Sequence, residues 1–117
     1  MSMESDLHTL LATICPRVFP DLAPEKTALP RVTYQALGGE SRRFIEGSAA
    51  SLRNTLMQVN VWSATRAEAL TLAHAIEDAL CASSAFVARP QGEPAALHEP
   101  DTGLRGTVQR FEIDSER

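Results

Sequence analysis

The sequence predicts an α+β fold: a mainly antiparallel sheet of four to five strands with two helices packed on one face, in the order α-β-β-β-α-β-β. Three observations predict it. Two segments, one at the N-terminus and one starting at Thr65, repeat apolar residues at the three- and four-residue spacing of a helix. Other segments alternate apolar and polar residues, as a strand with one covered face does. Short loops separate the strands, which predicts antiparallel pairing.

In the first helix Met3, Leu7, Leu10, Leu11 and Ile14 form the stripe. Ser2 is its expected N-cap, with Glu4 and Asp6 near the positive end of the dipole. Pro16 ends it, because the residue before a proline is pushed out of the α region. Arg17-Val18-Phe19 reads as a short extended segment, and the proline-punctuated stretch from Pro20 to Pro30 as a loop. Residues 31–37, RVTYQAL, are rich in β-formers and end at Gly38-Gly39. Residues 38–52, GGESRRFIEGSAASL, hold glycines, serines and few large apolar groups, and read as a long hairpin loop or arm.

Arg53 to Trp62 is the clearest strand: Met57, Val59 and Val61 are expected to face the helices, and Gln58, Asn60 and Trp62 the other side. Thr65-Arg66-Ala67-Glu68 has the spacing of a capping box. In the helix it opens, Ala69, Leu72, Ala73, Ile76, Ala79 and Leu80 form the inner stripe, while Ala67, Thr71, His74 and Asp78 face solvent. Ser83-Ser84 ends this helix, Ala85 to Ala88 is a short strand candidate, Pro90 to Gly103 a loop, and Arg105 to Asp114 the last strand. Val108 and Phe111 are three apart, so both face inward only across a bulge.

The chain has 117 residues, a length suited to a single domain spanning 1–117. With 11 Lys+Arg against 15 Asp+Glu its formal charge is −4, which argues against a surface tuned throughout to nucleic acid. A hydrophobic fraction of 44% and a charged fraction of 22% argue against whole-chain disorder. No apolar run approaches the ~18–20 residues that span a bilayer. The N-terminus carries acids and no Lys or Arg ahead of its apolar part, unlike a secretory signal. Cys15 and Cys81, far apart and each within an expected helix, read as free thiols of a cytosolic protein.

The search for chemistry yields no catalytic constellation. His8, His74 and His98 show no ligand spacing with one another or with a cysteine, so no metal is expected. There is no G-x-S-x-G elbow and no glycine-rich phosphate cradle, so no cofactor is expected. The adjacent Glu77-Asp78 pair points about 100° apart on a helix and does not share one site.

Three features point instead to interfaces. Ten of the eleven cations are arginine, which is enriched at interfaces, although a GC-rich gene explains it as well. Trp62 falls on the polar side of its strand, either capped by a loop or exposed as a contact residue. Arg42, Arg43, Phe44 and Ile45 place two cations and two large apolar groups at the centre of the arm, which either folds back on its own sheet or docks on a neighbour.

The ordered combination resembles the small phage tail-completion proteins, a tail-to-head joining, tail-terminator-like family. The resemblance rests on Arg17-Val18-Phe19-Pro20, Leu29-Pro30-Arg31-Val32-Thr33-Tyr34-Gln35 and Gly38-Gly39. It continues through Met57-Gln58-Val59-Asn60-Val61-Trp62-Ser63, the helix from Thr65, and Gln109-Arg110-Phe111-Glu112-Ile113. Asn60 stands where the family usually has Asp. The resemblance implies a non-enzymatic morphogenesis protein of the virion tail, assembled in the host cytoplasm. It implies homo-oligomeric rings, often of six subunits, that meet the tail tube and the head connector, with DNA at most passing through. A small α+β adaptor or regulatory binding module is the alternative for such a chain, and an enzyme would need a deep pocket of convergent polar groups.

Overall fold

Ser2 caps α1 (Met3–Ile14) as expected, its hydroxyl accepting the Ser5 amide at 3.1 Å. The computed structural model describes residues 2–24, 26–41 and 52–116. Leu7 and Leu11 are buried, with Met3, Leu10 and Ile14 packed beside them. Cys15 is the C-cap rather than a helical residue, and its amide bonds the Leu11 carbonyl. In α2 (Arg66–Ala82) Ala69, Ala73, Ile76 and Leu80 are buried, while His74 and Asp78 face solvent. The capping box is half formed. Thr65 accepts the Glu68 amide at 3.2 Å, but the Glu68 carboxylate takes the Ser63 hydroxyl instead of reaching back to the Thr65 amide. Ser63 is fully buried and itself accepts the Thr65 amide, so it stands between the two halves of the box.

The sheet has six strands, more than the four to five expected: β1 (Val18–Pro20), β2 (Arg31–Ala36), β3 (Leu52–Ser63), β4 (Val87–Pro90), β5 (Ala95–Glu99) and β6 (Leu104–Glu116). Their order is β1-β2-β3-β6-β4, with β5 also on β6. β3 pairs with β6 along its whole length, so β4 and β5 share the opposite edge of β6. The two helices pack together on one face. They bury Met57, Val59 and Val61 of β3, Val32 and Tyr34 of β2, and Phe111 and Ile113 of β6. Each large aliphatic or aromatic side chain removed from water there is worth ~1.5–3 kcal/mol.

Four expectations are corrected. β1 and β2 are parallel, not antiparallel: the loop from Asp21 to Pro30 carries the chain back along β1 before β2 begins. β5, with His98 in it, occupies what reads as loop; its residues have little strand propensity, and the open edge of β6 supplies their partners. β4 lies two residues later than Ala85–Ala88, and Pro90 is tolerated because β4 is an edge strand. β6 has no bulge. Its register with β3 is unbroken, so Phe111 faces inward, Val108 outward, and Gln109 enters the core between them.

Candidate subunit interface

Trp62 leaves β3 on the face opposite the helices, beside Arg31 of β2 and Gly106 of β6. A methyl group at Gly106 would stand 2.7 Å from Trp62 Cε3 and 2.8 Å from the Val61 carbonyl oxygen. The indole therefore lies across the glycine, half-buried, with its outer surface available. Aromatic cover of a glycine in a paired strand compensates for its missing side chain.

Arg42, Arg43, Phe44 and Ile45 lie outside the described residues. The base of their segment is described. Leu37 donates to the Leu56 carbonyl at 2.7 Å, Leu56 donates to the Gly38 carbonyl at 2.9 Å, and the Glu40 amide donates to Asn54 Oδ1 at 2.9 Å. Gly39 has φ +138°, and any Cβ there would come within 2.3 Å of the Asn54 carbonyl oxygen, so only glycine fits. This base sits at the opposite end of β3 from Trp62. The eight steps from Asn54 to Trp62 span about 26 Å at strand rise, so Trp62 and the base of the arm do not form one patch on a subunit.

Charge divides along the same axis. At the Trp62 end, Arg31 opens β2, Arg105 pairs with Ser63, Arg66 opens α2 and Arg17 precedes β1. None of these four forms an ion pair among the described residues. Glu68, in the first turn of α2, is also at this end, and its carboxylate accepts the Ser63 hydroxyl. At the arm end, Glu112, Asp114 and Glu116 alternate along the outer face of β6. Asn54 Nδ2 donates to Glu112 at 3.1 Å and to Asp114 at 2.9 Å, and Arg89 pairs with Asp114 at 2.8 Å. That hydrogen bond, with the charge behind it, pushes the Arg89 guanidinium further up from its ordinary value. Glu4, in the acidic first turn of α1, lines a cleft with Arg53 and Glu116 at this end. Arginines without ion-pair partners could not be singled out from sequence, because pairing register decides which cations meet carboxylates; Arg17 and Arg31 donate instead to the Pro30 and Thr27 carbonyls.

Little in this arrangement can do covalent chemistry. Cys81 is exposed, but partial burial and then Glu77 and Asp78 push its thiol up, toward the unreactive protonated form. His8 Nδ1 and the Tyr34 hydroxyl share a hydrogen bond of 2.9 Å that ties α1 to β2. Burial, then Glu4 and Asp21, push the Tyr34 phenol up, so it stays neutral. Among the described residues, no three His, Cys, Asp or Glu side chains gather as a metal site. No described helix is long and apolar enough to cross a membrane.

The family described as "Tail completion protein gp17" matches residues 2–114, nearly the whole chain. The chain belongs to this phage tail-completion family. Comparison with curated proteins finds no match. Membership gives the chain a role in phage morphogenesis, among the proteins of the tail and head.

Proposed function

We propose that this chain is a non-enzymatic tail-completion subunit. It assembles in the host cytoplasm and closes into a homo-oligomeric ring at the head-proximal end of the tail tube. One side of the ring meets the tube and the other the head connector, and DNA passes through without sequence-specific contact. It works as a single domain without cofactor or metal. The family match over residues 2–114 carries the reading. A ring needs two different patches on each subunit, in a head-to-tail contact that closes by rotation. In this reading the segment Arg42, Arg43, Phe44 and Ile45 supplies one contact and Trp62 a second.

Deleting the gene from its phage or prophage tests the reading. Filled heads and unjoined tails should accumulate, and purified protein added back should restore joined particles with a ring imaged at the tail end. Normally joined particles after the deletion would overturn it.

A further inference from the structure

Pairing register gathers apolar side chains around Trp62 on the face that the helices leave open. Trp62, Gly106 and Leu97 form one row across β3, β6 and β5. Leu104 and Val108 lie two residues to either side of Gly106 on β6, so they share its face. Trp62, Leu97, Leu104 and Val108 are each half-buried, while both helices pack on the other face. A half-covered apolar cluster around a tryptophan is what the centre of a contact surface looks like. Apart from single residues, only 42–51 lie outside the described residues, and Phe44 and Ile45 are the large apolar groups among them. They cannot cover the Trp62 of their own chain. Ser41 adjoins Glu40, whose amide Asn54 holds, and Phe44 and Ile45 follow three and four residues later. A fully extended chain carries them at most ~11 and ~14 Å from Ser41. Trp62 lies about 26 Å from Asn54 along β3. A second copy is under no such limit.

We infer that Phe44 and Ile45 of one copy dock on the open sheet face around Trp62 of a second copy. The contact is heterologous, because the donor segment and the receiving face stand at opposite ends of β3 and cannot meet within one chain. The indole rests on Gly106, which fixes one of its faces and leaves the other for an incoming ring. Two aromatic rings so paired gain more than the area they bury. Leu97 and Val108 border the indole and receive the branched side chain of Ile45. The inference rests on the ring reading and names the donor and the receiving surface of its contact between copies.

Trp62 is the one tryptophan, so fluorescence of the recombinant full chain reads the receiving face directly. As the wild-type protein is concentrated, sedimentation should show self-association and emission should shift to the blue with it. Phe44→Ser with Ile45→Ser removes the donor pair, and Leu97→Asp with Val108→Asp spoils the receiving face. Each variant alone should weaken association at least about tenfold, the usual effect of losing a buried apolar anchor, and keep its red emission. Mixed in equal amounts they should form pairs and nothing larger, since the first still offers a face and the second a donor. Circular dichroism melting establishes that both variants are folded, and Leu97→Ser with Val108→Thr replaces the second if it is not. A photoreactive benzophenone analogue at position 44 gives an independent reading. In a mixture of isotopically heavy and light chains it should cross-link between copies, to β3, β5 or β6 beside Trp62. A wild-type chain that stays monomeric, association without a blue shift, variants that associate like wild type, a mixture that stays apart, or cross-links confined to one copy would each overturn the inference. The ring reading fails separately, if add-back restores joined particles but no ring is seen at the tail end.

Discussion

Gln109 shows how one polar side chain is accommodated in an apolar layer. It is 5% exposed, and its amide nitrogen donates to Glu77 Oε1 at 2.5 Å and to the Gly92 carbonyl at 2.9 Å. Without those acceptors its burial would cost about 1–3 kcal/mol. Gly106 is the reverse case, a residue whose lack of a side chain is used. Its missing Cβ is the space the indole of Trp62 fills, with the Val61 carbonyl just behind. Replacing Gly106 with Ala should destabilise the protein by about 1–3 kcal/mol, since neither a paired backbone carbonyl nor a packed ring yields easily. The chain has one tryptophan, so its fluorescence reports the site directly. Denaturant unfolding should show the loss, and emission should shift to the red; unchanged emission and midpoint would mean the ring does not rest on Gly106.

Among the elements, β3 organises the rest. Its inner residues Met57, Val59 and Val61 are 1%, 3% and 1% exposed, while Gln58 and Asn60 between them are half-buried on the other face. Val59 lies between Tyr34 of β2 and Gln109 of β6, so truncation leaves a gap that no single neighbour closes. Val59→Ala should cost about 1–3 kcal/mol, from lost burial plus the cavity. Gln58→Thr, on the outer face, should change stability by less than ~0.5 kcal/mol. Equal costs for the two, measured by chemical denaturation, would show that burial does not distinguish the two faces of β3.

At the scale of the whole molecule, the chain separates what holds it together from what it presents. The core is built by α1, α2 and the inner face of β2, β3 and β6. The segment from Arg42 to Ile45 lies outside the described residues. If that segment docks on a neighbour, replacing Arg42, Arg43, Phe44 and Ile45 together by Ser should leave the melting temperature almost unchanged and abolish tail completion in an add-back assay. A variant that unfolds would assign the segment to the subunit's own core. One that folds and completes tails would make it a passive connection.

The sequence by itself determined both helices, their caps and inward faces, and the parity of β3, because helical and strand periods and capping chemistry are local. It also carried the family resemblance, through the run from Met57 to Ser63 and the helix that follows. Tertiary structure alone decided the rest. β5 exists because β6 leaves an edge unpaired, not because Ala95–Glu99 favour extension. β1 is parallel to β2 because of where its loop returns the chain. Glu68 turned from the backbone to Ser63 because the end of β3 places a buried hydroxyl within reach. The placement of Arg31 and Gly106 beside Trp62 depends on the registers of β2 and β6 against β3, a long-range match that no short window of sequence contains.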